Sequence, residues 1–196
     1  GLATTLQRHL NTDGYDLVVV SGDLTMAARS REDRAARAFL DGLSPSSLCV
    51  PGNHDVTPYR LAERFLAPWR RWKHHISQQL EPEWVGPDVA VVGVNTARRA
   101  LLELDWSRGS ISRRQIARLG RRLGRLPAGM FRILVAHHPF AADDAIDRPT
   151  PLVARAARAL AAFSGGEVDV IASGHLHRTY TAAFEVEPDA GGEGAA

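Results

Sequence analysis

Short runs of apolar residues alternate along the chain with longer segments in which apolar residues recur every three or four positions. A continuous apolar run of this kind is typical of a strand that is covered on both faces. The pattern predicts six strands, at residues 17–21, 48–50, 89–94, 131–136, 168–172 and 179–186. The last of them alternates apolar and polar residues more regularly, which is typical of a strand at the edge of a sheet.

The segments between these strands carry helical patterns. We predict helices at residues 2–10, 31–43, 60–80, 112–126 and 151–163. The third helix is expected to be interrupted at Pro68. In the fourth, Ile116 and Leu119 belong to one apolar face, and Ser112 has the side chain preferred at a helix N-cap. Strands that alternate with helices predict a layered α/β domain.

Composition and charge narrow the class of protein. The 196 residues are 44% hydrophobic and 23% charged with a net charge of +2, which indicates one soluble globular domain, predicted over residues 1–187. Residues 188–196 lack apolar periodicity and are expected to form a disordered tail. No apolar run approaches the about 18 residues of a membrane span. The small net charge does not favour a nucleic-acid partner, and the single cysteine, Cys49, indicates a reducing, cytoplasmic setting.

Four of the predicted strands are followed at once by polar side chains that can bind a metal. LVVVSGD ends at Asp23, LCVPGNHD at Asn53, His54 and Asp55, ILVAHHP at His137 and His138, and VIASGHLH at His175 and His177. Functional groups collect at the carboxyl ends of strands in open α/β sheets, so we expect these side chains to lie together. Imidazole nitrogen with carboxylate and amide oxygen suits Mn, Fe, Co or Zn, whereas calcium prefers sites made of oxygen alone.

The order of these motifs resembles that of the calcineurin-like metallophosphoesterase superfamily. The motifs are GD at residues 22–23, GNHD at 52–55 and GHLH at 174–177, with the histidines 137–138 between them. The stretch GSISRRQIARL is similar to a region of the bacterial cyclic-nucleotide phosphodiesterase branch. The resemblance implies a four-layer α/β/β/α sandwich that holds two divalent metal ions, Mn, Fe, Zn or Co, bridged by a carboxylate and a hydroxide.

The resemblance also implies a set of metal ligands. Asp23 would be the bridging carboxylate, and Asn53, His137 and His175 would complete the protein ligands of one metal ion. His177 would bind the other ion. His137 is preferred to His138 because the family ligand generally lies two residues before the proline.

Other residues would act on the substrate. His54 would face the phosphate, where it stabilises charge or protonates the leaving alkoxide, and Asp55 would orient the turn or His54 itself. His138 would line the substrate pocket or pack against a neighbour. The predicted substrate contacts are Asn95, His138 and Arg178.

One motif of the family, Asp-x-His near the N-terminus, is absent before Asp23. Without it the second metal ion retains only Asp23 and His177, too few protein ligands for tight binding. The chain is either a fragment that lacks its first strand, which we favour because the other motifs are intact, or a diverged form that is mononuclear or inactive. Because the segment after GHLH is short, we also expect that part of the core at the C-terminal end could be missing. We therefore expect one ion to bind strongly and the second weakly or not at all.

The function predicted first is hydrolysis of a small phosphodiester, such as a cyclic nucleotide, by attack of a metal-bridging hydroxide. A second enzymatic prediction is that the protein is a nuclease. The missing Asp-x-His motif leaves a third alternative from a different class, a catalytically weak metal- or ligand-binding module.

Overall fold

The computed structural model describes residues 1–99, 107–142, 151–163, 165–177 and 179–183. Its helices are α1 (Leu2–Thr12), α2 (Ser30–Asp41), α3 (Leu61–Leu66), α4 (Arg70–His75), α5 (Arg113–Leu123) and α6 (Ala156–Phe163). Its strands are β1 (Leu17–Val20), β2 (Ser46–Cys49), β3 (Glu83–Val85), β4 (Val89–Gly93), β5 (Phe131–Ala136) and β6 (Val170–Ser173). Among the described helices, none has the length and apolar character needed to cross a membrane.

The strands form two separate sheets. β1 and β2 pair in parallel, with Val19 opposite Leu48. The second sheet has the order β3-β4-β5-β6, in which β3 is antiparallel to β4 and the other pairs are parallel. In its register Val91 lies opposite Ile133, which in turn lies opposite Val170. All strands except β3 therefore direct their carboxyl ends the same way within each sheet.

The first sheet is covered on both faces. Cys49 of β2 belongs to a cluster with Leu40 of α2, so the helices lie on that face. Its neighbour Leu48 belongs instead to a cluster with Val91 and Val135 of the second sheet. Because successive side chains of a strand point to opposite faces, β2 divides helices from the other sheet. Burial raises the pKa of the Cys49 thiol to about 11, which leaves it protonated and unreactive at neutral pH.

The second sheet uses the same alternation. Val91 and Val135 face the first sheet. Their neighbours Val92 and Leu134 face the other way and pack with Ile116 of α5 and Ala159 of α6. The layers are therefore helices, sheet, sheet and helices, which confirms the predicted α/β/β/α sandwich. This order brings the two sheets face to face over a shared apolar layer.

Most of the predicted elements are present. The strand at 131–136 matches β5 at both ends, and the interruption at Pro68 separates α3 from α4. Ser112 caps α5: its hydroxyl accepts a hydrogen bond from the Gln115 amide, and the Gln115 side chain accepts one from the Ser112 amide. This reciprocal pair satisfies two backbone donors that a helix start would otherwise leave unbonded.

Two predictions need correction, and one strand was not predicted. The helix predicted at 151–163 begins only at Ala156, because Val153 and Ala154 donate to the carbonyls of Pro139 and Gly109. Residues 179–183 form no strand, and 184–186 lie outside the described residues, as does the tail predicted at 188–196. β3 was missed, since three residues form a strand here only by pairing with β4.

Candidate metal centre

The carboxyl ends of β1, β2, β5 and β6 meet at one point, and each contributes a side chain with a metal-binding atom. Nε2 of His137 lies 3.0 Å from Oδ1 of Asn53, 3.2 Å from Oδ2 of Asp23 and 3.2 Å from Nδ1 of His175. These residues are far apart in sequence, and the packing of the two sheets brings them together. The structure thus brings together four of the residues that the strand-end pattern predicted would lie close to one another.

The hydrogen bonds of His137 show what this cluster requires. Nδ1 of His137 lies 2.8 Å from the Ser21 carbonyl oxygen, which can only accept, so Nδ1 carries the proton and donates. In the neutral imidazole Nε2 then presents a lone pair toward the oxygens of Asn53 and Asp23, which also present lone pairs. A metal ion bound among these atoms would satisfy their lone pairs together. Oxygen and imidazole donors in this combination fit a divalent transition metal.

The electrostatics of Asp23 agree with a charged carboxylate at this point. Burial opposes the charge, but contact with His137 and a hydrogen bond from the His54 backbone amide outweigh it and lower the pKa of Asp23. The amide of His54 lies 3.0 Å from Oδ1 of Asp23. The other oxygen, Oδ2, faces His137, so the carboxylate spans two sides of the site.

Backbone strain is concentrated at the same place. Asp23, His175 and His177 have φ angles of 55°, 71° and 53°, in the left-handed region that residues with a side chain avoid. Each such residue costs roughly 1–2 kcal/mol, and three of the five described non-glycine residues of this kind belong to the predicted site. Strain that the fold maintains at a cluster of metal-binding atoms indicates a functional site.

Two glycines allow the strand ends to approach closely. A Cβ on Gly22 would lie 2.6 Å from Nδ1 of His137 and 2.7 Å from the Gly52 nitrogen. A Cβ on Gly52 would overlap the Asp23 carboxylate. The glycines of the GD and GNHD motifs are therefore required by packing between the loops, quite apart from any turn they make.

Asp55 is buried beneath the GNHD turn and stabilises it through hydrogen bonds. Its carboxylate is 4% exposed and accepts hydrogen bonds from the Gly52 amide at 2.9 Å and from both the amide and the hydroxyl of Thr25 at 3.0 Å. Burial raises the pKa of Asp55 to about 6, with the Asp23 charge adding to the effect and these hydrogen bonds opposing it. Asp55 thus joins the loop of Asp23 to the loop of Asn53, and its carboxylate is aimed at backbone rather than at the metal cluster.

His54 lies beside the cluster on its exposed side. Its Nδ1 is 2.8 Å from the Met26 carbonyl oxygen, so Nδ1 donates a proton there and Nε2 is the nitrogen left for other partners. The ring is close enough to influence the pKa of both Asp23 and His175. This geometry holds the imidazole next to the cluster without placing Nδ1 among its atoms.

A cavity of about 300 Å³ opens over the cluster. Its lining consists of Ser21, Gly22, Asp23, His137, Gly174, His175 and His177. His177 is exposed and lies on this lining, on the side where the second ion was predicted. Within the described lining, His177 is the one metal-binding side chain not assigned to the first ion, and Asp23 could be shared between the two positions.

His138 has a different environment from His137. Its Nε2 donates to the Ser107 carbonyl oxygen and its Nδ1 accepts from the Thr96 hydroxyl, both at 2.8 Å. Burial lowers the pKa of His138 to about 3, so the ring stays neutral. The ligand atoms of His137, His138 and His175 lie within 4.8 Å of one another, but both nitrogens of His138 are already bonded. The ring is 1% exposed, which favours the packing alternative over contact with a substrate.

Of the two other predicted substrate contacts, Asn95 does not line this cavity. Asn95 is buried, and its side-chain oxygen accepts a hydrogen bond from the Ala97 amide at 3.0 Å, within its own loop. Arg178 lies outside the described residues. Sequence reasoning missed Thr25 and Thr96, which hold Asp55 and His138; Thr25 adjoins the GD motif, whereas nothing in the sequence marks Thr96.

Comparison with known proteins agrees with the fold. A family model of the calcineurin-like phosphoesterases matches residues 1–179. Among solved structures, the phosphopantetheinyl hydrolase PptH of Mycobacterium tuberculosis is similar, with a TM-score of 0.52 and 17% identity over 92% of this chain and 80% of that chain. A search of curated proteins gave no match. The family model covers most of the chain, and the chain therefore belongs to the calcineurin-like phosphoesterases, a family of metal-dependent phosphoester hydrolases.

Proposed function

We propose that this chain hydrolyses a small phosphodiester with a divalent metal ion, Mn, Fe, Co or Zn, held at the strand-end cluster. The observation that carries the proposal is the convergence of metal-binding atoms of Asp23, Asn53, His137 and His175 around one point. A divalent ion bound by these residues supplies Lewis-acid polarisation of a phosphoryl oxygen and activation of water. One ion has four protein donors, whereas a second has Asp23 and His177, so we expect the first to bind much more tightly.

The charge of the cavity supports a diester over a monoester. Its described lining carries one carboxylate and three imidazoles and has no arginine or lysine. A phosphodiester bears one negative charge, while a monoester at neutral pH bears nearly two. The cavity therefore compensates a diester better. The resemblance of residues 109–119 to the cyclic-nucleotide branch points to the same class of substrate.

His54 is assigned to the leaving group. In the reaction a bond forms between phosphorus and the oxygen of water, and the bond to the leaving oxygen breaks. The departing alkoxide takes a proton from Nε2 of the His54 imidazolium, the attacking water releases a proton to solvent, and the imidazole regains one from solvent. The Met26 carbonyl accepts from Nδ1 and so fixes the ring with Nε2 turned away from that contact.

Metal-dependent turnover tests the proposal directly. Metal-depleted protein receives Mn²⁺ or Zn²⁺, and the hydrolysis of bis-p-nitrophenyl phosphate is compared with that of p-nitrophenyl phosphate. We expect turnover only with metal, a higher kcat/KM for the diester, and loss of activity in Asp23→Asn but not in the control His75→Ala. Faster hydrolysis of the monoester would contradict the substrate class. Metal binding without turnover of either compound would favour the binding-module alternative.

The role of His54 has its own test. His54→Ala should lower kcat for the diester by about two orders of magnitude, the size of a general-acid contribution, and should leave the bound metal unchanged. The metal content is measured by atomic emission after gel filtration, with exposed His74→Ala as the matched control. Loss of metal from His54→Ala would show that His54 is a ligand and would overturn the assignment.

A further inference from the structure

Large apolar side chains are exposed on both segments that flank His54. Met26 is 71% exposed and Tyr59 is 69% exposed. The neighbouring helix α3 adds three more exposed side chains, those of Leu61, Phe65 and Leu66. Five of the twelve exposed large hydrophobic residues in the described part of the chain therefore lie at residue 26 or within 59–66. Exposed apolar side chains that adjoin one another often mark a binding site, and contact between Arg29 and Tyr59 links the two segments.

The loop that presents Met26 is fixed rather than loose. Ala27 and Ala28 are buried, and Ala28 has a φ angle of 48°, a left-handed conformation that an alanine adopts at a cost. The Ala28 amide donates to the Thr25 hydroxyl at 3.1 Å, and the Ala27 amide donates to Glu32 at 3.0 Å. The turn that exposes the Met26 side chain is therefore held by two hydrogen bonds and contains one strained residue.

The same loop connects to Tyr59 and to His54. Arg29 follows Met26 by three residues, and its guanidinium carbon lies 5.4 Å from the centre of the Tyr59 ring, in cation-π geometry. The Met26 carbonyl holds Nδ1 of His54. One short turn therefore positions the proposed acid for the leaving group and also presents an apolar side chain and a cation stacked on an aromatic ring.

We propose that Met26, Tyr59 and Arg29 form a subsite for the leaving group of the substrate, and that this group carries an aromatic ring. The inference rests on the proposed function, because an acid for the leaving oxygen must lie on the side where the leaving group departs. The thioether of Met26 adapts to apolar shapes and makes favourable contacts with aromatic rings. Tyr59 offers a face or edge for stacking, and its contact with Arg29 holds the ring in place.

Paired phosphonates, which are not themselves hydrolysed, test the subsite. Methylphosphonate and 1-naphthylmethylphosphonate have the same charged head and differ only in the organic group. Each is used as an inhibitor of metal-dependent bis-p-nitrophenyl phosphate hydrolysis by the wild-type chain. We expect the naphthyl compound to have the lower inhibition constant by about tenfold, the effect of one favourable aromatic contact.

Variants then assign that preference to named side chains. Tyr59→Ser and Met26→Ser should each raise the inhibition constant of the naphthyl compound by about fivefold and leave that of methylphosphonate unchanged. Met26→Ser keeps the carbonyl that holds His54. Tyr15→Ser, at an exposed tyrosine elsewhere, is the matched control.

The outcomes separate this inference from the proposed function. If the wild type hydrolyses the diester but binds both phosphonates equally, the subsite is wrong and the function stands. If no diester is hydrolysed with any metal, the proposed function fails first. A fall in sedimentation mass in Tyr59→Ser, with phosphonate selectivity unchanged, would show that the surface contacts a second copy of the chain and would overturn the subsite.

Discussion

At the scale of single residues, His137 and His138 show how the alternation of side chains along a strand gives two adjacent histidines different roles. Val135 faces the first sheet, whereas Leu134 and Ala136 face α5 and α6. Continuing that alternation past the end of β5 turns His137 toward the ends of β1 and β2 and His138 toward the helix side. His137 consequently meets Asp23 and Asn53, and His138 meets Thr96 and Ser107.

This difference predicts opposite results for two neighbouring substitutions. His137→Ala should abolish tight metal binding, measured by calorimetry, because it removes the atom on which the cluster converges. His138→Ala should keep metal binding in the folded protein but lower the free energy of unfolding of the metal-free chain by about 2–4 kcal/mol. The loss combines a cavity with buried groups left unbonded, and urea denaturation measures it. Equal loss of metal in both variants would contradict the assignment.

At the scale of elements, a buried ion network joins α2 to the pair α3 and α4. Nη1 of Arg71 lies 3.0 Å from Oδ2 of Asp33, and its Nε lies 3.2 Å from Oε1 of Glu63. Asp33 lies on α2, Glu63 on α3 and Arg71 on α4. The network therefore holds the short helices α3 and α4 against α2, and with them the segment that follows the GNHD turn.

Removing the central cation should destabilise the protein strongly. Arg71→Met leaves the buried Asp33 carboxylate without its arginine partner, at a cost of about 3 kcal/mol in the free energy of unfolding. The matched control is Arg37→Gln on α2, which removes an exposed pair with Asp41 and should change stability little. Urea midpoints of both variants at neutral pH give the comparison. A similar loss in the two variants would show that burial of the network does not matter.

Elements could be predicted from the sequence where they have their own local signal. The apolar run of β5 and the Ser112 cap of α5 are such signals, and both were predicted correctly. The start of α6 could not be predicted from the sequence, because Val153 and Ala154 are held by hydrogen bonds to residues distant in sequence. The strand ends with polar side chains were visible in sequence, whereas the Thr96 contact that separates His138 from His137 joins residues 42 apart.

At the scale of the whole molecule, the candidate metal centre belongs to neither sheet alone. Asp23 and Asn53 follow strands of the first sheet, and His137 and His175 follow strands of the second. Behind them the apolar layer around Val50 and Val135 holds the sheets together. The cluster can form only when both sheets are folded and packed, so a ligand bound there favours the folded chain over the unfolded one.

Metal binding should therefore raise the stability of the entire sandwich. At a free metal concentration of 100 times Kd, mass action adds about 2.7 kcal/mol to the free energy of unfolding. For a chain of this size that corresponds to a rise in Tm of roughly 5–10 °C, measured by circular dichroism with and without Mn²⁺ or Zn²⁺. Asp23→Asn should lose most of the rise, while the control His75→Ala keeps it. An equal rise in Asp23→Asn would place the stabilising ion elsewhere, and no rise in the wild type at a concentration where calorimetry detects binding would show that the ion does not join the two sheets.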